Sequence, residues 1–303
     1  MKNLKVNFPH PKKAFSLIEL SIVILIIGIL VAGVTQSSRL VKQFLLTSAR
    51  NITLSSPVGT INDLALWLDA VNEKAFDIQI SEASGIAYWQ DTNPLSTSQL
   101  RLIQNTVSDQ PTYTFNGING LPSVKYNSTI NTSRLVGANI ALSRESTIFL
   151  VLRWDLLNTA NNQSCLIEIS GDSNWALLES YIYNSSLLQF NYYPFAAITG
   201  NNGYNATLNK DTNTILRRVY NPKINYSAVF LNGTLGQSGI ASYSGNYDSL
   251  GNATIYLGNH PGNSRTYGGL FGELIIYNRA LKNDEIIDIE RYLSKKWAIK
   301  LSY

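Results

Sequence analysis

The chain has 303 residues, a formal net charge of +4 and a sequence pI near 9.0. Four of its 24 basic residues (Lys2, Lys5, Lys12 and Lys13) lie in the first 14 positions, which hold no acid; the other 20 are matched by 20 acidic residues, so the excess belongs to the N-terminus and makes no case for nucleic-acid binding. The single cysteine, Cys165, excludes an internal disulfide and a cysteine-based zinc cluster, and with only His10 and His260 present a metal site or Ser–His–acid triad would rest on His260 alone.

Residues 12–34, KKAFSLIELSIVILIIGILVAGV, come first. From Phe15 to Val34 run 20 residues, of which only Ser16, Glu19 and Ser21 are polar. A helix of that length, rising about 1.5 Å per residue, spans roughly 30 Å, the thickness of a bilayer's hydrocarbon core. The lysines before it predict that the first 14 residues stay on the cytoplasmic side. A secretory signal has a shorter apolar region with its small cleavage-site residue on the far side; here Ala14 precedes the run. Glu19 is the anomaly. A charge such as Asp at the centre of a membrane helix costs roughly 2.5–3.5 kcal/mol, which marks Glu19 as functional and in need of a cationic partner.

Ala14-Phe15-Ser16-Leu17-Ile18-Glu19-Leu20 resembles the processing and methylation site of type IV pilins and pseudopilins. The resemblance implies a leader over residues 1–14, cut by a prepilin peptidase between Ala14 and Phe15, and N-methylation of Phe15. Glu19, then the fifth residue, would pair with the N-terminal amine of a neighbouring subunit. Ala14 replaces the usual Gly, as in minor pilins and pseudopilins, and Gln36 stands where many major pilins carry Pro.

Leu40, Val41, Phe44, Leu45 and Ala49 recur at helical spacing, which extends the predicted helix over residues 15–54, with 15–34 crossing the membrane. Ser55-Ser56-Pro57-Val58-Gly59 breaks it, and residues 55–60 read as a linker. Beyond them, short runs rich in Val, Ile, Leu, Tyr and Phe alternate with Asn, Gly, Ser and Asp. Strands are predicted at 64–68, 112–115, 123–126, 147–154, 164–169, 175–182, 187–193, 214–220, 226–232, 254–257 and 270–277. The fold class expected is mainly β, an antiparallel sandwich over residues 61–303. TIFLVLRW (147–154) is apolar on both faces and is placed centrally; Asn232-Gly233 marks a tight turn into a short strand. A short C-terminal helix follows, capped by Asn283, with Asp284 and Glu285 at its start, Lys295 and Lys296 at its end, and Ile286, Ile289, Leu293 and Trp297 on its packing face.

LALWLDA (64–70), Trp89-Gln90-Asp91, QPTYTFNGINGLPSVKYN (110–127), SAVFLNG (227–233) and LFGELIIYNRALKNDEIIDIERYLSKKWAI (270–299) resemble a concanavalin A-like, laminin G-like domain. The resemblance implies a jelly-roll sandwich that binds glycans or proteins, with calcium in some members. Residue by residue the chemistry is sparse. A retaining glycosidase needs two carboxylates about 5–5.5 Å apart. Glu285, Asp288 and Glu290 fall on the predicted helix, where Glu285 and Asp288 read as solvated charges, and Glu168, Glu179 and Glu273 are isolated from one another in sequence. No cofactor is expected: Asp172-Ser173-Asn174 and Asp211-Thr212-Asn213 are fragments of a calcium site at most, and read better as turns. Cys165 reads as a buried small hydrophobe and His260 as an exposed turn residue. The densest cluster of aromatics beside amides, Tyr192, Tyr193, Asn201, Asn202 and Tyr204, is the candidate ligand site.

These readings combine into a minor-pilin- or pseudopilin-like protein with no catalytic activity. It is anchored in the inner membrane or assembled with other pilin subunits through its first helix, and it displays the sandwich outside the cytoplasm for adhesion or ligand recognition. The alternatives are a type II secretion pseudopilus component and a membrane-tethered glycan hydrolase.

Overall fold

The computed structural model describes residues 16–76, 80–96, 100–156, 163–170, 176–183, 187–191, 204–224, 226–240, 252–262 and 265–302. Helix α1 (Leu17–Leu54) is continuous over 38 residues. It is long and apolar enough to cross a membrane, and its apolar stretch is not buried within the chain. A side chain at Gly28 or Gly33 would meet nothing of this chain within 4 Å of its Cβ, so neither glycine is needed for packing within the chain. The helix stops where expected, and Val58–Thr60 forms a single 3-10 turn.

The chain divides into two compact units, residues 1–45 and 46–303. The sequence placed the junction at 55–60. The second unit starts earlier because the last turns of α1 carry apolar residues that the sandwich covers: Ala49 is 2% exposed, and Leu46 and Ile52 pack on the same cluster.

The second unit is mainly β. Its strands are β1 (Leu64–Asp69), β2 (Tyr88–Gln90), β3 (Arg101–Ile103), β4 (Thr112–Thr114), β5 (Ser123–Tyr126), β6 (Leu135–Ala141), β7 (Ser146–Leu156) and β8 (Gln163–Ser170). There follow β9 (Ala176–Tyr183), β10 (Leu187–Asn191), β11 (Tyr204–Thr207), β12 (Asn213–Asn221), β13 (Tyr226–Leu231), β14 (Thr234–Ile240), β15 (Asn252–Leu257) and β16 (Gly268–Tyr277). Among the described residues they form two antiparallel sheets. The first has the order β14-β13-β12-β7-β16-β5-β4, with β1 also on β16; the second has the order β11-β10-β9-β8-β15-β6-β3-β2. Helix α2 (Asn283–Trp297) closes the chain.

Side-chain alternation explains the layers. In β7, Ile148, Leu150, Leu152 and Trp154 enter the core between the sheets, while Phe149 and Val151 join a second cluster on the outer side of the first sheet. That cluster lies under α2, through Ile286, Ile289, Leu293 and Trp297. Both faces of β7 are therefore covered, which is why its sequence is apolar throughout, and it sits centrally between β12 and β16.

Some local expectations are corrected. Asn232 and Gly233 both take positive φ (51° and 83°), as a type I′ hairpin requires, but the strand beyond is seven residues long. The helix cap is Lys282 and not Asn283: the Glu285 carboxylate reaches back to accept the Lys282 N–H at 2.8 Å. Strands β2, β3, β6 and β11 went unseen in the sequence. Three are only three or four residues long, and β6 is rich in Gly and Ala, so period-2 apolar patterning is weak.

Candidate functional site

Of the predicted processing and assembly residues, Ala14 and Phe15 lie outside the described residues. Glu19 lies in the first turn of α1, where its carboxylate accepts the Ser16 N–H at 2.8 Å. This local bond takes up one of the orphan donors at a helix start.

Of the predicted ligand residues, Tyr192, Tyr193, Asn201 and Asn202 lie outside the described residues. Tyr204 opens β11, opposite Phe190 on β10. The described residues add another surface, the outer face of the second sheet. Trp89, Leu102, Leu135, Ile255, Leu257, Ile167 and Ile169 enter the core, so their neighbours face outward. Tyr88, Ile103, Val136, Tyr256 and Glu168 are paired in one transverse register across five strands. Two arginines lie over tyrosines of this row: Arg101 is 4.3 Å from the Tyr88 ring centroid and Arg134 is 5.8 Å from that of Tyr256. Tyr88 and Tyr256 are three inter-strand steps apart, about 14 Å at ~4.8 Å per step. Gln90 orients Arg101 by accepting its Nε–H at 3.0 Å.

The loop after β15 completes this face. Asn259, fully buried, donates to Asn131 O and Thr266 Oγ1 and accepts the His260 and Arg265 N–H groups. Gly258 before it has φ +89°, and a Cβ there would meet the Tyr126 ring at 2.3 Å, so this position requires glycine. His260 is thereby turned inward, against the exposed-turn expectation: its side chain is 29% exposed and its Nε2 lies 3.5 Å from the carboxylate of buried Glu168. Its Nδ1 accepts the Gly262 N–H at 2.8 Å, so Nε2 is the nitrogen that carries the proton. Burial first, then the positive charges of Arg265 and Arg134, hold the imidazole pKa below the usual histidine range. Arg134 also donates to His260 O and Pro261 O, tying the loop to the Tyr256 platform.

The motifs that carried the laminin G-like resemblance converge elsewhere, beneath α2. Glu273 is the hub: one carboxylate oxygen accepts from Trp67 Nε1 and Tyr292 Oη (2.7 Å each), the other from Lys296 Nζ and Trp297 Nε1 (2.8 Å each). Lys296 Nζ is also 2.7 Å from Asp69 Oδ1, and Thr53, in the last turn of α1, donates to Asp69 Oδ2 at 3.2 Å. Asp91 accepts the Trp67 N–H, Tyr113 donates to Ala70 O, and Asn119 donates to Trp297 O and Ala298 O at the end of α2. Desolvation pushes the Glu273 carboxyl up from its ordinary range, against the pull of Lys296. Asp69, Glu273 and Lys296 are at most 4% exposed, so this network holds the fold together and presents nothing to a ligand.

Two of the helix acids find partners. Glu285 makes a two-pronged contact with Arg279 at 2.7 Å, and Glu290, 1% exposed, pairs with Arg217 at 2.8 Å. Asp288 is exposed. Glu168 and Glu179, distant in sequence, stand opposite each other on β8 and β9. Lys296, expected to serve the helix dipole, is buried in the network. Cys165 is buried as expected. Asp211 takes a turn conformation with φ 56° and donates its N–H to Trp154 O; residues 172–174 lie outside the described residues. Among the described residues no group of three or more His, Cys, Asp or Glu side chains is placed to hold a metal ion.

Comparison with known proteins separates the two halves. Residues 9–35 match the prokaryotic N-terminal methylation motif. No curated protein matches the chain. Among solved structures, a Trypanosoma rangeli sialidase aligns with a TM-score of 0.51 and 14% identity over 78% of this chain and 33% of that one. The same enzyme in complex with 2,3-difluorosialic acid aligns with a TM-score of 0.52 and 13% identity over 84% of this chain and 38% of that one. Domain 4 of AbnA, an arabinanase from Geobacillus stearothermophilus, in complex with arabinotriose, aligns at 0.47 and 15% identity, over 75% and 98%. The chain spans about a third of the length of the sialidases, and at these identities the likeness is one of fold. The chain therefore carries a type IV prepilin methylation motif at its N-terminus, followed by a β-sandwich similar in fold to part of a sialidase.

Proposed function

We propose that this chain is a minor-pilin- or pseudopilin-like subunit. A prepilin peptidase cuts it between Ala14 and Phe15, Phe15 is N-methylated, and α1 holds it in the inner membrane until it joins a filament with other pilin subunits. The sandwich is then displayed outside the cytoplasm, where it binds a glycan or protein ligand without catalysis. The observation that carries this reading is the methylation motif over residues 9–35 running into a 38-residue helix whose apolar window is entirely uncovered. An apolar helix of that kind needs lipid or other helices around it.

The outer face of the second sheet supports the recognition role. Its arginine-backed tyrosines, Tyr88 with Arg101 and Tyr256 with Arg134, offer flat apolar surfaces edged by hydrogen-bond donors.

Glu19 supplies the test. In a plain membrane anchor, Glu19→Ala removes a costly carboxylate and nothing else follows. In a filament it removes one member of a low-dielectric pair with the Phe15 amine of a neighbour, a loss on the order of 3–5 kcal/mol. The measurement is the amount of protein in sheared filaments relative to membranes, for wild type and variant. Loss from filaments with normal membrane levels is expected; unchanged incorporation rejects the assembly role.

A further inference from the structure

The buried network beneath α2 contains a set of atoms poised for a reaction. Lys296 Nζ lies 2.7 Å from Asp69 Oδ1, and both side chains are sealed from water, at 0% and 1% exposure. The same Nζ lies 2.8 Å from Glu273, and Asp69 and Glu273 are direct partners in the β1–β16 ladder. The hydrogen-bonded cluster thus holds one amine and two carboxyl groups, walled by Trp67, Tyr292 and Trp297. Desolvation drives the Glu273 carboxyl toward its protonated form, which fits it to serve as an acid.

We infer that Lys296 and Asp69 condense to an intramolecular amide, with Glu273 as the acid–base group. A proton passes from the ammonium to the Asp69 carboxylate, leaving a neutral amine beside a neutral acid. Nζ then attacks Cγ. The Val71 N–H, 2.9 Å from Oδ1, stabilises the charge that develops on that oxygen, which becomes the amide carbonyl. Glu273, protonated at the start, gives its proton to Oδ2, which leaves as water, and then takes one from the nitrogen. Two hydroxyls carry the donated proton: Tyr292 Oη is 2.7 Å from Glu273 and 3.5 Å from Thr53 Oγ1, which is 3.2 Å from Asp69 Oδ2. The C–N bond forms, one C–O bond breaks, one water departs, and Glu273 ends as it began. Holding amine and acid in contact supplies the proximity that makes such a step unimolecular.

The bond joins β1, the first strand after α1, to the last helix. A pull on α1 then reaches α2 directly, and β1 cannot peel from β16 alone. Its formation needs no ligand.

The test is peptide mass spectrometry of the full chain, purified in detergent and digested with trypsin. Cleavage after Arg50, Lys74, Lys295 and Lys300 should release a branched peptide joining residues 51–74 to residues 296–300, lighter than the two separate peptides by one water, about 18 Da. Fragmentation should place the link between Asp69 and Lys296. Recovery of only the unlinked peptides 51–74 and 297–300 overturns the inference. Glu273→Gln should abolish the branched peptide, and a linked peptide in that variant overturns the role given to Glu273. Lys296→Arg, which keeps a cation but not the reacting amine, should also lack it.

Discussion

The last turns of α1 belong to the sandwich domain, and truncation measures how much they stabilise it. Two fragments, Leu46–Tyr303 and residues 61–303, contain every strand and α2, and differ by the end of α1 and the 3-10 turn. Cutting at residue 61 removes Val58, which is fully buried, and Ala49, 2% exposed. Burial of a valine side chain is worth roughly 1.5–3 kcal/mol and that of a methyl about 0.8. It also removes the acceptor of the buried Tyr277 hydroxyl, which donates to Val58 O at 2.9 Å. An orphaned donor costs about 1–3 kcal/mol. Together the shorter fragment loses about 3–7 kcal/mol, a large share of a typical 5–15. For a domain of this size each kcal/mol shifts the melting temperature by about 2–4 °C. Thermal melts followed by circular dichroism should therefore place the longer fragment about 10–20 °C higher. Melting temperatures equal within about 2 °C would show that the helix end rests on the sandwich without stabilising it, and would refute this reasoning.

Three further outcomes are expected. Tyr256→Ala and Arg101→Ala should each reduce glycan-array binding by the sandwich domain at least about tenfold while leaving the melt nearly unchanged; binding unaffected by either moves the ligand site off the second sheet. Glu290→Leu leaves the buried Arg217 unpaired and should cost about 3–5 kcal/mol in urea unfolding, whereas Arg217→Met with Glu290→Leu should recover most of it; strictly additive losses would contradict the pairing. The Glu285 pKa is lowered from 4.5 to about 2, chiefly by the hydrogen bond from Arg279. Its folded value is depressed, so its stabilisation is complete above the unfolded value and is lost as the pH falls from about 4.5 toward 2; Glu285→Gln should flatten that part of the stability profile, and an unaltered acid limb counts against it.

The motif around Ala14, Phe15 and Glu19 was legible in the sequence because it is local. The order basic residues, small residue, Phe, acid and apolar run carries its own meaning without any fold around it. The long helix and most strands were legible for the same reason: a 20-residue apolar run, or the two-sided apolar TIFLVLRW, admits few other structures. What tertiary structure decided was the role of each polar residue. Asp69, Glu273 and Lys296 are 227 positions apart at the extremes and meet only because β1 pairs with β16 and α2 folds back over both. Lys296 was indistinguishable in sequence from its exposed neighbour Lys295; one step around the helix, about 100°, separates solvent from core. His260 likewise read as a turn residue, and only the buried amide of Asn259 turns it toward Glu168. The platform of Tyr88 and Tyr256 had no sequence signal at all, since strands far apart in the chain are set side by side by hydrogen-bond register, which no single segment encodes.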